Sequence, residues 1–122
     1  MMDKIFDKIK KDLEKNNKEY EYHYDDNFAF SGQRRHIIVR FPNNYGASIV
    51  HHFGSYGNKD NLLEIAVLNF KDLKNKNPIE RNIGDYELCY TTPITDDVLG
   101  YVEPDDVPTI LKDIESLERT VV

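Results

Sequence analysis

Four histidines, a knot of arginines and a run of acids near the C-terminal end are the side chains of this 122-residue chain whose types could do chemistry. The histidines are His23, His36, His51 and His52. Adjacent His51 and His52 sit in a stretch that reads as a strand, where neighbours point to opposite faces. They cannot both ligate one metal ion without distortion, and only one of them can meet His36 across a hairpin. A His-dependent hydrolase is therefore the third-ranked reading, behind ordinary strand histidines. Arg34, Arg35, His36 and Arg40 form the one concentrated positive patch outside the first helix. Arginine presents a planar fork of donors suited to phosphate or carboxylate. With His52 and Tyr56 these residues make a candidate ligand site, of a kind that could sequester a nucleotide signal. Internal pairing with the acidic C-terminal segment would serve the same residues.

The other chemistry-bearing signals are absent or weak. No dinucleotide-binding glycine fingerprint, phosphate-binding P-loop, serine nucleophile elbow or His-Glu-x-x-His pair occurs. Gly54-Ser55-Tyr56-Gly57 is a glycine loop between strands, whereas phosphate-cradling loops lead into a helix. Cys89 is the only cysteine, so it has no internal disulfide partner and reads as a small buried or half-buried hydrophobe. No metal, cofactor or catalytic residue is expected, and the chain is read as non-enzymatic.

Charge is informative once divided along the chain. The net charge is −6. Residues 1–95 are balanced, so the whole excess sits in residues 96–122, where Lys112 and Arg119 are the only bases. An acidic protein is repelled by bulk nucleic acid, which argues against a coating role on DNA or RNA. Asp105, Asp106, Asp113, Glu115 and Glu118 are the candidate surface for a partner protein with a basic face. Acid pairs at a helix start also favour its exposed N–H groups, which is the plainer use of Asp105 and Asp106.

The elements that must carry these residues can be placed. Ile5, Phe6, Ile9 and Leu13 recur at helical spacing over 3–16, with Asp3 as N-cap and Asn16-Asn17 as the stop. Tyr20, Tyr22 and Tyr24 alternate with polar residues, the period of a strand. Phe28–Phe30 reads as a short strand. Residues 35–41 and 47–53 form a hairpin about Pro42–Gly46, 62–70 is an apolar central strand, and 86–90 is the last strand. Residues 71–85 are a polar loop, and 95–100 reads as one helical turn. Val107, Ile110, Leu111, Ile114 and Leu117 mark a final helix over 104–118, with Pro108 in its first turn. The sum is one α+β domain over 1–122: a mainly antiparallel sheet of four to six strands, with the N-terminal and C-terminal helices on one face. Leu63, Ile65, Val67, Ile110, Ile114, Ile9 and Leu13 are its expected core.

In the hairpin, a type I turn closed by a left-handed Gly46 would pair Asn43 with Ala47. Phe41, Val39 and Ile37 would then share a face with Ile49 and His51, against the helices. Arg40, Ile38 and His36 would share the other face with Ser48, Val50 and His52. That second face is expected to be partly exposed and to make the ligand contact.

The segments Tyr45-Gly-Ala-Ser-Ile-Val, Gly54-Ser-Tyr-Gly, Leu62-Leu-Glu-Ile-Ala-Val-Leu and Leu88-Cys-Tyr-Thr-Thr-Pro-Ile-Thr-Asp-Asp-Val-Leu-Gly-Tyr carry a resemblance. Over roughly residues 45–117 the chain resembles small phage and prophage accessory proteins of Gram-positive bacteria. The resemblance implies a factor that binds and blocks a host protein, as inhibitors of CRISPR nucleases do, and transfers no catalytic residue. It implies the host cytoplasm as compartment. The charged N-terminal stretch, which has no apolar core, points to the cytoplasm too and away from a signal peptide. No apolar run approaches the roughly 18 residues of a membrane span, so no membrane partner is expected.

Overall fold

The computed structural model describes residues 2–26, 32–52, 55, 57–71, 83–95 and 98–118. The expected Phe28–Phe30 strand, Tyr56 and most of the 71–85 loop lie outside those residues.

Helix α1 (Met2–Lys15) is followed by strands β1 (Glu19–Asp25), β2 (Arg34–Arg40), β3 (Tyr45–His51), β4 (Leu63–Phe70), β5 (Tyr86–Leu88) and β6 (Val98–Val102). A 3-10 turn at Pro104–Asp106 leads into helix α2 (Val107–Glu115). All strand pairs are antiparallel, and β1 to β5 lie side by side in chain order. The architecture is α+β, as the alternation of patterns required. Among the described residues no helix is long and apolar enough to cross a membrane.

α1 begins one residue before the expected cap, so Asp3 lies in its first turn. The helix stops where expected. Asn17 takes a left-handed φ of 55°, and the Lys18 and Asn17 N–H groups return to the Leu13 and Glu14 carbonyls. Those two bonds close the end by the Schellman pattern. Asp106 stands at the N-cap of α2 without a side-chain capping bond. Its charge therefore acts only through the helix dipole.

The expected helical turn at 95–100 is not observed over 98–100, where β6 begins. β6 pairs with the first half of β4 (Leu63↔Val102, Ile65↔Leu99), while β5 pairs with the second half (Leu68↔Leu88, Phe70↔Tyr86). Between them the Cys89 N–H donates to the Val67 carbonyl at 2.8 Å. The outer edge of β4 is thus capped along its length, which satisfies a buried strand's backbone. β6 spends one extra residue against Glu64, a bulge that leaves Tyr101 at φ 56°. A Cβ on Gly57 would lie 3.0 Å from the Tyr101 Cα, so only glycine fits beneath the bulge.

The core lies between the sheet and the helices. Phe6, Ile9 and Leu13 of α1 and Val107, Leu111 and Ile114 of α2 bury against Ile37, Val39, Ile49, Ile65 and Val67. Of the expected core only Ile110 falls short, being half-buried at its margin. A smaller cluster of Ile38, Leu68, Phe70 and Ile83 occupies the opposite face.

Candidate functional site

The β2–β3 hairpin decides where the candidate residues go, and its turn differs from the expected one. Phe41 pairs with Tyr45, and Asn44, not Gly46, takes the left-handed φ of 65°. Gly46 is a glycine for a different reason. A Cβ there would meet the Val39 carbonyl oxygen at 2.1 Å and the Phe70 ring at 2.6 Å. The register becomes Ile37↔Ile49 and Val39↔Ala47. This departs from the expected register by an even number of residues, so every side chain keeps its expected face.

The outer face carries rows that cross the sheet: Glu19, Arg40, Gly46 and Leu68; Glu21, Ile38, Ser48 and Ala66; His23, His36, Val50 and Glu64. It is more covered than expected. Arg40, His36, Ser48 and Val50 are all buried. Ile83 explains the Arg40 end. Its carbonyl accepts from Arg40 at 2.9 Å, and its N–H donates to the Glu21 carboxylate at 2.7 Å. Two strands thus hold both polar groups of one backbone residue, and the chain entering β5 lies across the face there. Arg40 also donates to Asn44 Oδ1 at 3.0 Å and stacks 4.6 Å from the centre of the Phe70 ring.

The expected Arg/His patch is therefore divided. Arg35 points to the helix side, 5% exposed, donating to the Asp3 carboxylate and to Gln33. Its guanidinium also lies 5.3 Å from the Tyr24 ring centre. Arg40 sits at one end of the outer face under Ile83. Arg34, His36 and His52 gather at the other end, joined by His23, whose ring centre lies 6.4 Å from that of His36. The alternation of Tyr and polar residues in β1 was the signal that could have placed His23 beside His36. His51 lies opposite Arg35 on the helix side. Tyr56 lies outside the described residues.

The hydrogen bonds of His36 fix what it can do. Arg34 Nη2 lies 2.9 Å from Nδ1, and Nε2 lies 2.7 Å from Ser48 Oγ. A guanidinium only donates, so Nδ1 accepts and the proton resides on Nε2. The ring consequently donates to Ser48 rather than accepting from it. A serine nucleophile needs the reverse, so this pair is not built as a nucleophile and base. Burial foremost, then the neighbouring Arg34, His23 and His52, push the His36 pKa down to about 4. The imidazole is neutral at pH 7, which matches that bonding. Among the described residues no three ligating side chains converge to hold a metal ion.

The acids of the C-terminal segment also separate. Val107, Leu111 and Ile114 face the core. Asp105 and Glu115 line a groove between α2 and α1, and Glu115 is ion-paired with Lys18. Asp106 and Asp113 lie on the far side of the helix from that groove, and Glu118 follows it. All three are exposed and carry no ion pair among the described residues.

Sequence reading missed that groove. Both helices run from the Arg35 end of the sheet to the Asn43 end. The Asp3–Arg35 bond ties the start of α1 to one end. Asn43 Nδ2 donates to the carbonyls of Ile114, Glu115 and Leu117 at the other. Between the parallel helices lies a cleft of about 710 Å³, floored by Ile9, Leu13, Phe41, Val107 and Leu111 and rimmed by charged residues. Two amphipathic patterns 90 residues apart do not reveal how far apart they lie on a sheet.

Compared with known proteins, the chain matches no family model, no curated protein and no solved structure.

Proposed function

We propose that this is a non-enzymatic binding protein that engages a basic surface of a partner protein through the outer side of α2. The observation that carries this reading is the set Asp106, Asp113 and Glu118: exposed, of one sign, and without ion pairs among the described residues. The residues that looked chemical support it indirectly, because the Arg35 guanidinium, the His36 ring and both Arg40 Nη groups bond within the fold. In its narrower form the partner is a host protein, such as a defence nuclease, whose basic channel the acids occupy in place of nucleic acid. This is the role of a phage-type accessory protein. Like charges keep the same surface off nucleic acid itself.

The test is affinity capture from a Gram-positive lysate with two baits, the native chain and the D106N/D113N/E118Q variant. A protein retained by the first, lost by the second and released by raised salt supports the reading, because exposed pairs are screened over about 3 Å at 1 M salt. Identical capture by both baits refutes it. Inhibition of a captured nuclease by the native chain, and not by the variant, would establish the narrower form.

A further inference from the structure

The cleft between α1 and α2 has the form of a ligand site that the acidic surface does not use. Its volume of about 710 Å³ falls within the range of small-molecule pockets, roughly 300–1,000 Å³. At about 30 Å³ per water-sized group, that is room for roughly twenty non-hydrogen atoms. The floor is apolar and elongated along two parallel helices, a shape for a chain rather than a disc.

The charges around it are not evenly spread. Lys18 and Glu115 neutralise each other at the C-terminal end of the helices. That leaves Lys4, Lys8 and Lys112 against Asp12 and Asp105 on the walls. Lys4 and Lys8 stand one turn apart on α1, exposed and in no ion pair among the described residues. They lie toward the end where both helices begin. Parallel helices place both positive dipole ends there. Asp3 is bound to Arg35 and Asp106 lies on the far side of α2, so the acid of the cleft wall at that end is Asp105, set against Lys4, Lys8 and the two dipole ends.

We infer that the cleft binds a single-chain amphiphile with an anionic head. The alkyl chain lies over Ile9, Leu13, Phe41 and Leu111, and the head sits beside Lys4 and Lys8. A carboxylate, sulfate or phosphate head satisfies the same lysines. Cationic and uncharged heads do not.

The experiment titrates the full chain with dodecanoate, dodecyl maltoside and dodecyltrimethylammonium, each below its micelle concentration, by calorimetry and amide-shift mapping. Dodecanoate should bind one-to-one, with shifts confined to α1, α2 and Phe41, and about tenfold more tightly than either other probe. K4Q/K8Q, at exposed positions that leave the core intact, should remove that preference. Ile5→Trp, at the half-buried wall, should weaken all three probes. Dodecyl phosphate and dodecyl sulfate then distinguish a general anion preference from a carboxylate one. Absence of saturable uptake, equal or better binding of the cationic probe, shifts mapping elsewhere, or indifference to K4Q/K8Q would each overturn the inference. D106N/D113N/E118Q should bind dodecanoate as the native chain does, so this result and the partner-capture result stand or fall separately.

Discussion

The two faces of the central sheet are made by alternate residues of the same strands, yet they are held by different physics. On the helix side, Ile37, Val39, Ala47, Ile49, Ile65 and Val67 meet two amphipathic helices, and the contact is almost wholly apolar. On the outer side, Arg40, His36 and Ser48 are also buried, though less completely, and they are held by directed hydrogen bonds. A buried apolar group loses stability in proportion to the space it leaves. A buried polar group loses it when a partner is left unsatisfied, or when its charge state changes. The first kind of layer is sensitive to volume, the second to protonation.

The largest expected effect comes from volume on the helix side. Ile49 is fully buried at the centre of β3. Ile49→Ala should lower the unfolding free energy by about 3–4 kcal/mol, read as a fall in the urea midpoint at unchanged slope. A loss below about 1 kcal/mol would mean that this layer is loosely packed and that the contrast between the faces is wrong.

Protonation should break the outer face. His36 has a folded pKa of about 4 against an ordinary 6.5. Its stabilisation is fully present above pH 6.5 and is lost as the pH falls through 4. The shift corresponds to about 3 kcal/mol. Denaturation followed from pH 7 to 4 should show that decline in the native chain and a flatter curve in His36→Gln. Ile49→Ala should shift the native curve downwards without changing its shape. A pH profile unaltered by His36→Gln would move the acid sensitivity elsewhere.

The same division explains how much could be read from the sequence. Helix-side burial follows periodicity, so Ile9, Leu13, Leu63, Ile65, Val67 and Ile114 were legible as core. Faces survived a wrong hairpin register because parity, not position, assigns a side chain to a face. The Arg40 end of the outer face was misjudged because its cover comes from Ile83, at the end of a stretch with no period of its own. Arg34, Arg35 and Arg40 looked like one patch because sequence proximity ignores alternation: Arg35 is turned from Arg34, and Arg40 lies most of a strand away. β6 was hidden because Val98–Val102 is short and broken by Gly100 and the bulge.

A smaller effect tests whether polar contacts matter on the helix side at all. Asn43 donates to three carbonyls at the end of α2, and its Oδ1 accepts from the Tyr45 N–H at 3.0 Å. One side chain therefore closes both the turn and the helix. Asn43→Ala should cost about 1–2 kcal/mol and accelerate amide exchange at the end of α2 more than in β4. Uniform acceleration across the sheet would show that the bond supports the whole fold rather than the helix end.

The smallest effect is expected at the Lys18–Glu115 pair, which joins the exit of α1 to the last turn of α2. Both side chains are more than a quarter exposed, so solvent and salt screen them. Lys18→Gln should cost about 0.5 kcal/mol at low salt and almost nothing at 1 M. Its value lies in the comparison with Asn43, because both groups act on the backbone or side chain of Glu115. If the end of α2 is one cooperative unit, the double variant N43A/K18Q should lose less than the sum of the single losses, since the second removal acts on a turn already frayed. Strict additivity would show that the two contacts act independently. In that case Lys18 would contribute only to the electrostatics of the interhelical groove, and Asn43 alone would fix the helix end.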